Sequence, residues 1–200
     1  MKFNLMFLFV ALFVGATFAT PPKKSKPVAY KADLKTTVIK WEGKKVTGKH
    51  NGTVNIKSGA IEVLDGMATT GNFIIDMTSI MCTDLTAGKG KEKLEGHLKS
   101  EDFFGTEAHP TAEFKATKIT KVNGANYTVA GDLTIKGQTH PISFPANIVI
   151  TKKMVKATGK VTIDRTLYGI KYGSGSFFDN LGDKAINNEF SMDIQFVANK

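Results

Sequence analysis

Apolar and polar residues alternate along most of the chain beyond about residue 29. In YTVAGDLTIKG, Tyr127, Val129 and Leu133 lie on one face of an extended strand, while Thr128 and Asp132 lie on the other. The same alternation continues at about 142–150, 154–164 and 189–197, and it is weaker at about 29–42, 45–57, 60–77 and 111–122. The pattern predicts eight strands, each with one apolar and one polar face.

Short links join these strands, and most of them contain glycine or asparagine: EGKK, KSGA, VNGAN, KGQ and TKK. Links of this length make neighbouring strands antiparallel. Eight antiparallel strands with one polar face close most simply into a barrel, which leaves no unpaired edges. We therefore expect an antiparallel β-barrel, and a two-sheet sandwich is the alternative that the pattern leaves open.

Two stretches interrupt the alternation. Residues 84–101 place Leu94 and Leu98 four positions apart, which is typical of a short amphipathic helix. Residues 166–187 form a long glycine-rich connection, and connections of this length in compact domains are usually functional or disordered. Aromatic residues in this connection indicate that it packs onto the domain; they are Tyr168, Tyr172, Phe177 and Phe178.

The first residues, MKFNLMFLFVALFVGATFAT, combine a basic start with a short apolar run and small residues before Ala19. The run is shorter than the roughly 20 apolar residues that a transmembrane helix needs. We interpret residues 1–19 as a cleaved secretory signal peptide, residues 20–28 as a flexible segment and residues 29–200 as one domain. We therefore expect a periplasmic or secreted protein.

The charge and cysteine content narrow the choice of partners. The net charge is +9, but the lysines are scattered along the strands, and Arg165 is the only arginine. Without aromatic residues between the basic ones, this pattern argues against nucleic-acid binding; weak contact with an anionic membrane surface and a homodimer stay open. Cys82, the single cysteine, cannot form an internal disulfide, and we expect it to be a small buried apolar residue.

The sequence shows no motif typical of a catalytic or metal site. No HxH, HExxH or G-x-S-x-G pattern occurs, and we expect neither a metal site nor a catalytic residue. His140 shares a face with Ile142 and Phe144, so an acid or base inside the barrel stays open. The histidines fall in four separate elements, at His50, His97, His109 and His140.

The apolar face gives more information about the interior. An eight-stranded barrel is just wide enough to be filled by side chains or to hold one slender ligand. Small residues at inward positions leave space for an apolar guest, although bulky neighbours could instead fill it. These small residues are Gly131, Ala146, Ala157 and Gly159.

Three ordered blocks resemble a known family. HLKSEDFF (97–104) precedes Pro110 and Phe114, GDLTIKGQTHPISF (131–144) follows, and DRTLYGI (164–170) comes last. Together they resemble the YceI family of bacterial envelope proteins, from about residue 29 to the C-terminus. The resemblance implies an all-β, eight-stranded antiparallel lipocalin-like barrel with one short helix packed at the rim. It also implies a lumen that holds a long apolar molecule: a polyisoprenoid, an isoprenoid quinone or a fatty amide.

The function that the resemblance implies is non-catalytic carriage or sequestration of this lipid, without a cofactor. An enzyme acting on an isoprenoid substrate and an envelope interaction module with a filled barrel are the alternatives. Phe103 and Phe104 would fasten the helix end to the rim, or else plug the barrel. Arg165 suits a diphosphate or other polar head, or a structural ion pair. The residues expected to bind the ligand are Phe103, Phe104, Phe114, Leu133, Phe144, Ile148, Ala157, Arg165, Phe190 and Ile194.

One stretch and one single residue depart from the family pattern. Residues 41–54 are richer in lysine and glycine than expected near the first hairpin, and Tyr168 stands where phenylalanine is common. Both departures concern the identity of the ligand rather than the fold.

Overall fold

The computed structural model describes residues 25–200. The predicted signal peptide and most of the predicted flexible segment lie outside the described residues. The regular structure of these residues consists of one α-helix, two short 3₁₀ helices (Arg165–Tyr168 and Gly182–Lys184) and nine strands: β1 (Val28–Ala32), β2 (Val38–Lys45), β3 (Gly48–Leu64), β4 (Met67–Cys82), α1 (Lys91–Lys99), β5 (Thr111–Asn123), β6 (Asn126–Ile135), β7 (Gln138–Ile150), β8 (Met154–Asp164) and β9 (Ile186–Asn199).

The strands form one closed antiparallel barrel. Neighbouring strands follow the order β1-β3-β2-β9-β8-β7-β6-β5-β4, and pairing of β3 with β4 closes the ring. Strands β1 and β2 both pair with β3 on one side and β9 on the other, so they occupy a single position in the wall. The barrel therefore has eight strand positions, which confirms the predicted fold class.

The first predicted strand is interrupted between β1 and β2. The carboxylate of Asp33 accepts hydrogen bonds from the amides of Lys35 and Thr36, at 3.0 and 3.3 Å. A side chain that binds the backbone two and three residues ahead stabilises a turn in place of an extended strand. The single strand predicted at 29–42 is thus two short strands.

The predicted turn at KSGA is wrong. Strand β3 runs unbroken through this segment, and the chain turns at Asp65 and Gly66, whose φ angles are 50° and 76°. Asp-Gly with two positive φ angles is the preferred two-residue hairpin turn. The strands predicted at 45–57 and 60–77 are therefore the longer β3 and β4, with their boundary shifted.

Register shifts explain why β3, β4 and β5 alternate weakly. In β5 the pairing with β6 shifts between Ala116 and Lys118, and the apolar residues that face the interior change from Phe114 and Ala116 to Ile119. An extra residue in one strand moves every later side chain to the opposite face. Strands β3 and β4 contain similar shifts.

Helix α1 confirms the helix predicted in 84–101. It starts after Gly90, whose φ of 97° suits glycine, and it ends at Lys99, after which the amide of Ser100 donates a hydrogen bond to the carbonyl of Gly96. The carboxylate of Glu95 accepts the backbone N–H of Cys82 at 2.8 Å, which ties the helix to the end of β4. Within residues 25–200, no helix is long and apolar enough to cross a membrane.

The connection between β8 and β9 packs onto the barrel only in part. Tyr168 and Ile170 are almost completely buried, whereas Phe177 and Phe178 are about half exposed. Tyr172 is also about half exposed, although its ring contacts those of His97 and Phe103. The connection therefore packs onto the barrel mainly through Tyr168 and Ile170, and Phe177 and Phe178 contribute little to this packing.

Candidate functional site

The barrel contains a partly open, apolar cavity of about 240 Å³. Residues of strands β2 to β9 line it, mostly at alternate positions, because side chains of a strand point to opposite sides in turn. The barrel is therefore hollow rather than completely filled by side chains. All ten residues expected to bind the ligand line this cavity: Phe103, Phe104, Phe114, Leu133, Phe144, Ile148, Ala157, Arg165, Phe190 and Ile194.

Small inward residues provide part of the space, with one exception. Ala146, Ala157 and Gly159 line the cavity, as expected. Gly131 does not, because a Cβ atom there would lie 2.2 Å from the carbonyl oxygen of Lys115. Gly131 therefore allows the backbone of β5 to come close at its register shift, and the expectation that it leaves space is wrong.

The sequence reasoning missed part of the wall. Ile39, Trp41 and Gly43 of β2 line the cavity, as do Phe73 and Ile75 of β4. On β2 the segment VIKWEG does alternate apolar and polar residues, but the turn that separates β2 from β1 is not evident from the sequence. On β4 the inward positions do not alternate regularly, because the next residue after Met77 that lines the cavity is Ile80.

The turn after α1 closes one end of the cavity. The amide of Phe104 binds the carbonyl of Leu98, and the amide of Thr106 binds that of Lys99, so the chain folds back on the helix. This places Phe103, which is 8% exposed, and the half-buried Phe104 in the cavity wall. The ring of Phe104 meets that of Phe190 edge to face at 6.1 Å. The two phenylalanines thus both line and close this end.

Arg165 lies at the same end and is 4% exposed. Its Nε, Nη1 and Nη2 atoms donate hydrogen bonds to the carbonyl oxygens of Asn187, Ile170 and Ile186, at 2.9, 2.8 and 3.1 Å. These bonds join the two ends of the long connection. Burial lowers the pKa of the guanidinium from its ordinary value, and the nearby charge of Asp164 partly opposes this shift. Within residues 25–200 the predicted ion pair of Arg165 does not form, because backbone carbonyls take its place.

Few ionisable side chains reach the cavity. Lys44, Arg165 and Glu189 are the ionisable residues in the wall, and no histidine of the described chain lines it. His140, which the alternation placed on the apolar face, instead packs its ring edge to face against Tyr168 at 5.1 Å. Arg165 is the buried one of the three, since Lys44 and Glu189 are exposed.

Outside the cavity, His50, Cys82 and Asp84 come together although the sequence suggested no link between them. Asp84 accepts hydrogen bonds from the Cys82 thiol at 3.0 Å and the Asn51 amide at 3.1 Å, and it meets His50 Nδ1 at 2.9 Å. Burial alone would raise the pKa of Asp84, but these bonds outweigh it and lower the pKa to about 2. Burial raises the pKa of the Cys82 thiol. Cys82 is fully buried, as expected, but it is hydrogen-bonded rather than purely apolar.

Sequence comparison identifies relatives of this barrel. The family model of the YceI-like domain matches residues 30–198. A UPF0312 protein of Staphylococcus epidermidis is 36% identical over 110 residues, which cover 50% of this chain and 61% of the relative. A protein of Photorhabdus laumondii is 43% identical over 53 residues, 26% of this chain and 27% of the relative. The chain thus spans between about a quarter and three fifths of the length of these curated relatives.

Solved structures share the fold. BcnA of Burkholderia cenocepacia superposes with a TM-score of 0.67 at 20% identity, over 84% of this chain and 99% of BcnA. A polyisoprenoid-binding domain from Saccharophagus degradans, implicated in plant cell wall breakdown, gives a TM-score of 0.60 at 13% identity, over 85% of this chain and 97% of that domain. At these identities the likeness establishes the barrel architecture.

Proposed function

We propose that this chain, which belongs to the YceI-like domain family, binds a long apolar lipid in its barrel and carries or sequesters it unchanged. The observation that carries the proposal is the cavity inside the barrel, whose surface is almost entirely apolar. Burial of an apolar chain from water releases about 0.8 kcal/mol per methylene group. A long chain therefore binds such a wall tightly with few polar contacts.

The chemistry of the ligand follows from the shape and lining of the cavity. From Ala157 on β8 to Arg165, the residue after β8 ends, the cavity wall extends over eight residue steps, about 26 Å at a rise of ~3.3 Å per residue. A strand tilt of about 40° reduces this to an axial depth of about 20 Å. A slender polyisoprenoid, isoprenoid quinone or fatty amide fits this space, and the polyisoprenoid-binding domain with the same fold supports the first of these.

The lining also favours binding over catalysis. An enzyme that transforms the lipid needs an acid and a base placed together at the reacting atoms. Lys44, Arg165 and Glu189 are the ionisable groups in the wall, and two of them are exposed to water. We propose a periplasmic or secreted location for the carrier, as the N-terminal sequence suggests.

A chain-length series tests the binding mode. Protein freed of bound lipid is titrated with straight-chain primary alcohols of increasing length, and each dissociation constant is measured by displacement of a fluorescent apolar probe. We expect the affinity to rise about fourfold for each added methylene and to level off once the chain exceeds the depth of the cavity.

Two results would contradict the proposal. An affinity that does not depend on chain length would show that the alcohols bind outside the cavity. Recovery of a chemically altered isoprenoid after incubation with the protein, detected by mass spectrometry, would favour the enzyme instead.

A further inference from the structure

The pairing of β3 with β4 brings three metal-binding side chains to one face of the barrel wall. Strand β4 ends at Cys82, and the pairing goes one residue further, where the amide of Thr83 donates to the carbonyl of Asn51 at 3.0 Å. The next residue, Asp84, therefore lies opposite His50 on β3. Because side chains two residues apart in a strand share a face, Cys82 lies on the same side as Asp84.

The donor atoms of these side chains lie close enough to share one ion. Cys82 Sγ, one carboxylate oxygen of Asp84 and one ring nitrogen of His50 all lie within 4.8 Å of one another. Bonds of about 2.0–2.3 Å in a tetrahedral zinc site place the ligand atoms roughly 3.3–3.8 Å apart. Small rotations of the side chains, two of which are partly exposed to solvent, bring the three atoms to these distances.

The chemistry of the three donors suits a divalent ion that binds sulfur. Zn²⁺ takes thiolate, imidazole and carboxylate ligands. One thiolate and one carboxylate neutralise its charge, and the thiol proton that Cys82 now donates to Asp84 leaves to solvent when the ion binds. Partners behind the ligands hold them in place: the carboxylate of Glu95 accepts the amide of Cys82 at 2.8 Å, and the amide of Asn51 donates to Asp84 at 3.1 Å.

The cluster is accessible from solvent and is not neutralised by a neighbouring cation. The side chains of His50 and Asp84 are 36% and 28% exposed, and Cys82 lies buried beneath them. Within residues 25–200 no lysine or arginine nitrogen lies within 4.0 Å of the carboxylate of Asp84. Lys49, the neighbour of His50 in the chain, instead pairs with Glu42 at 2.7 Å. An ion can therefore enter from the outer side of the cluster.

We propose that His50, Cys82 and Asp84 bind Zn²⁺ at the end of β4, outside the lipid cavity. Three protein ligands leave the fourth tetrahedral position to water or an external ligand. The sequence motifs for metal sites place ligands a few residues apart, whereas His50 and Asp84 are 34 residues apart and meet only through strand pairing. The inference does not rest on the proposed lipid binding.

Cobalt spectroscopy tests the site on the unaltered protein. Untagged protein, freed of metal with a chelator and kept under nitrogen, is titrated with Co²⁺. We expect one Co²⁺ per chain, with the near-ultraviolet charge-transfer band of a cobalt–thiolate bond and the strong visible absorption of tetrahedral Co²⁺. One equivalent of Zn²⁺ should remove both signals. Only the weak absorption of hydrated Co²⁺ would overturn the proposal.

Variants of the ligands locate the ion. We expect Cys82→Ser to abolish the charge-transfer band, and His50→Gln and Asp84→Asn each to weaken Co²⁺ binding by about tenfold or more. His97→Gln is the matched control, because His97 and Asp102 form a second imidazole–carboxylate pair, at 3.4 Å, and it should bind Co²⁺ as the unaltered protein does.

Two results would overturn this ligand set: unchanged affinity in both His50→Gln and Asp84→Asn, or an equal loss in His97→Gln. If Cys82→Ser does not fold, the absorption of the unaltered protein and the affinity of His50→Gln decide.

Discussion

Two buried polar atoms have no hydrogen-bond partner within residues 25–200, the indole nitrogen of Trp41 and the phenol oxygen of Tyr168. Tyr168 is 1% exposed, and burial raises the pKa of its hydroxyl. A buried hydroxyl without a partner costs free energy, since it loses its bonds to water. The tyrosine at position 168 therefore carries a free-energy cost that phenylalanine would not.

Replacement of Tyr168 by phenylalanine should therefore leave stability unchanged or raise it by up to about 1–3 kcal/mol. Urea unfolding followed by fluorescence measures the change. Tyr30→Phe is the matched control, because the hydroxyl of Tyr30 donates to the carbonyl of Thr151 at 3.0 Å, and its loss should destabilise by about 1 kcal/mol. A clear loss of stability in Tyr168→Phe would show that the hydroxyl has a partner.

The lowered pKa of Asp84, about 2 against an ordinary 3.8, makes stability depend on pH. A carboxyl with a lower pKa in the folded state stabilises the protein above pH ~4, and the contribution disappears as the pH falls towards 2. We expect a loss of about 1–2 kcal/mol over this interval, reduced by the partial exposure of the group.

Urea unfolding between pH 7 and pH ~2.5 tests this with Asp84→Asn, whose stability should fall less over the same interval. Asp132→Asn on the exposed face of β6 controls for the change in net charge. Parallel pH curves for the unaltered protein and Asp84→Asn would contradict the assignment.

At the scale of elements, regularity decides what the sequence can predict. Strands β6 and β7 pair without a register shift, so simple alternation located them and their inward faces. Strands β3, β4 and β5 contain shifts, and a shift depends on the partner strand, which local sequence does not show. The KSGA segment has turn-forming residues, but it lies within β3. Its Gly59 makes room for a neighbouring side chain, since a Cβ atom there would lie 2.8 Å from the ring of Phe73.

Gly52 makes a similar close approach in β3. A Cβ atom there would lie 1.9 Å from the carbonyl oxygen of Met81 and 2.6 Å from the ring of Trp41. We expect Gly52→Ala to cost about 3 kcal/mol or more, because backbone and indole must both move. Gly48→Ala in the same strand meets nothing within 4 Å and should change stability little. Equal thermal midpoints for the two variants would contradict the close packing of β2, β3 and β4.

At the scale of the whole molecule, the barrel surrounds an almost entirely apolar interior. The sequence predicted the barrel, and the ten residues that it named as ligand-binding all lie in the cavity wall, since inward positions follow from strand alternation and from the family pattern. That they bind a ligand stays a prediction. It did not decide whether the interior is hollow, because volume depends on how side chains of different strands meet. Nor did it predict the hydrogen bonds of Arg165. One of them goes to the carbonyl of Ile186, which follows Arg165 by 21 residues and lies where the pairing of β9 with β2 is irregular.

The central claim is that the lumen holds one long apolar molecule, and native mass spectrometry tests it most directly. Protein purified without detergent is weighed intact, its organic extract is analysed, and Ala157→Trp is compared with Lys156→Trp. Ala157 faces the cavity, whereas Lys156 is exposed on the outer face of β8. We expect one long-chain lipid per chain in the unaltered protein and in Lys156→Trp, and its loss from folded Ala157→Trp. Absence of lipid from the unaltered protein, or equal amounts in both variants, would contradict the account.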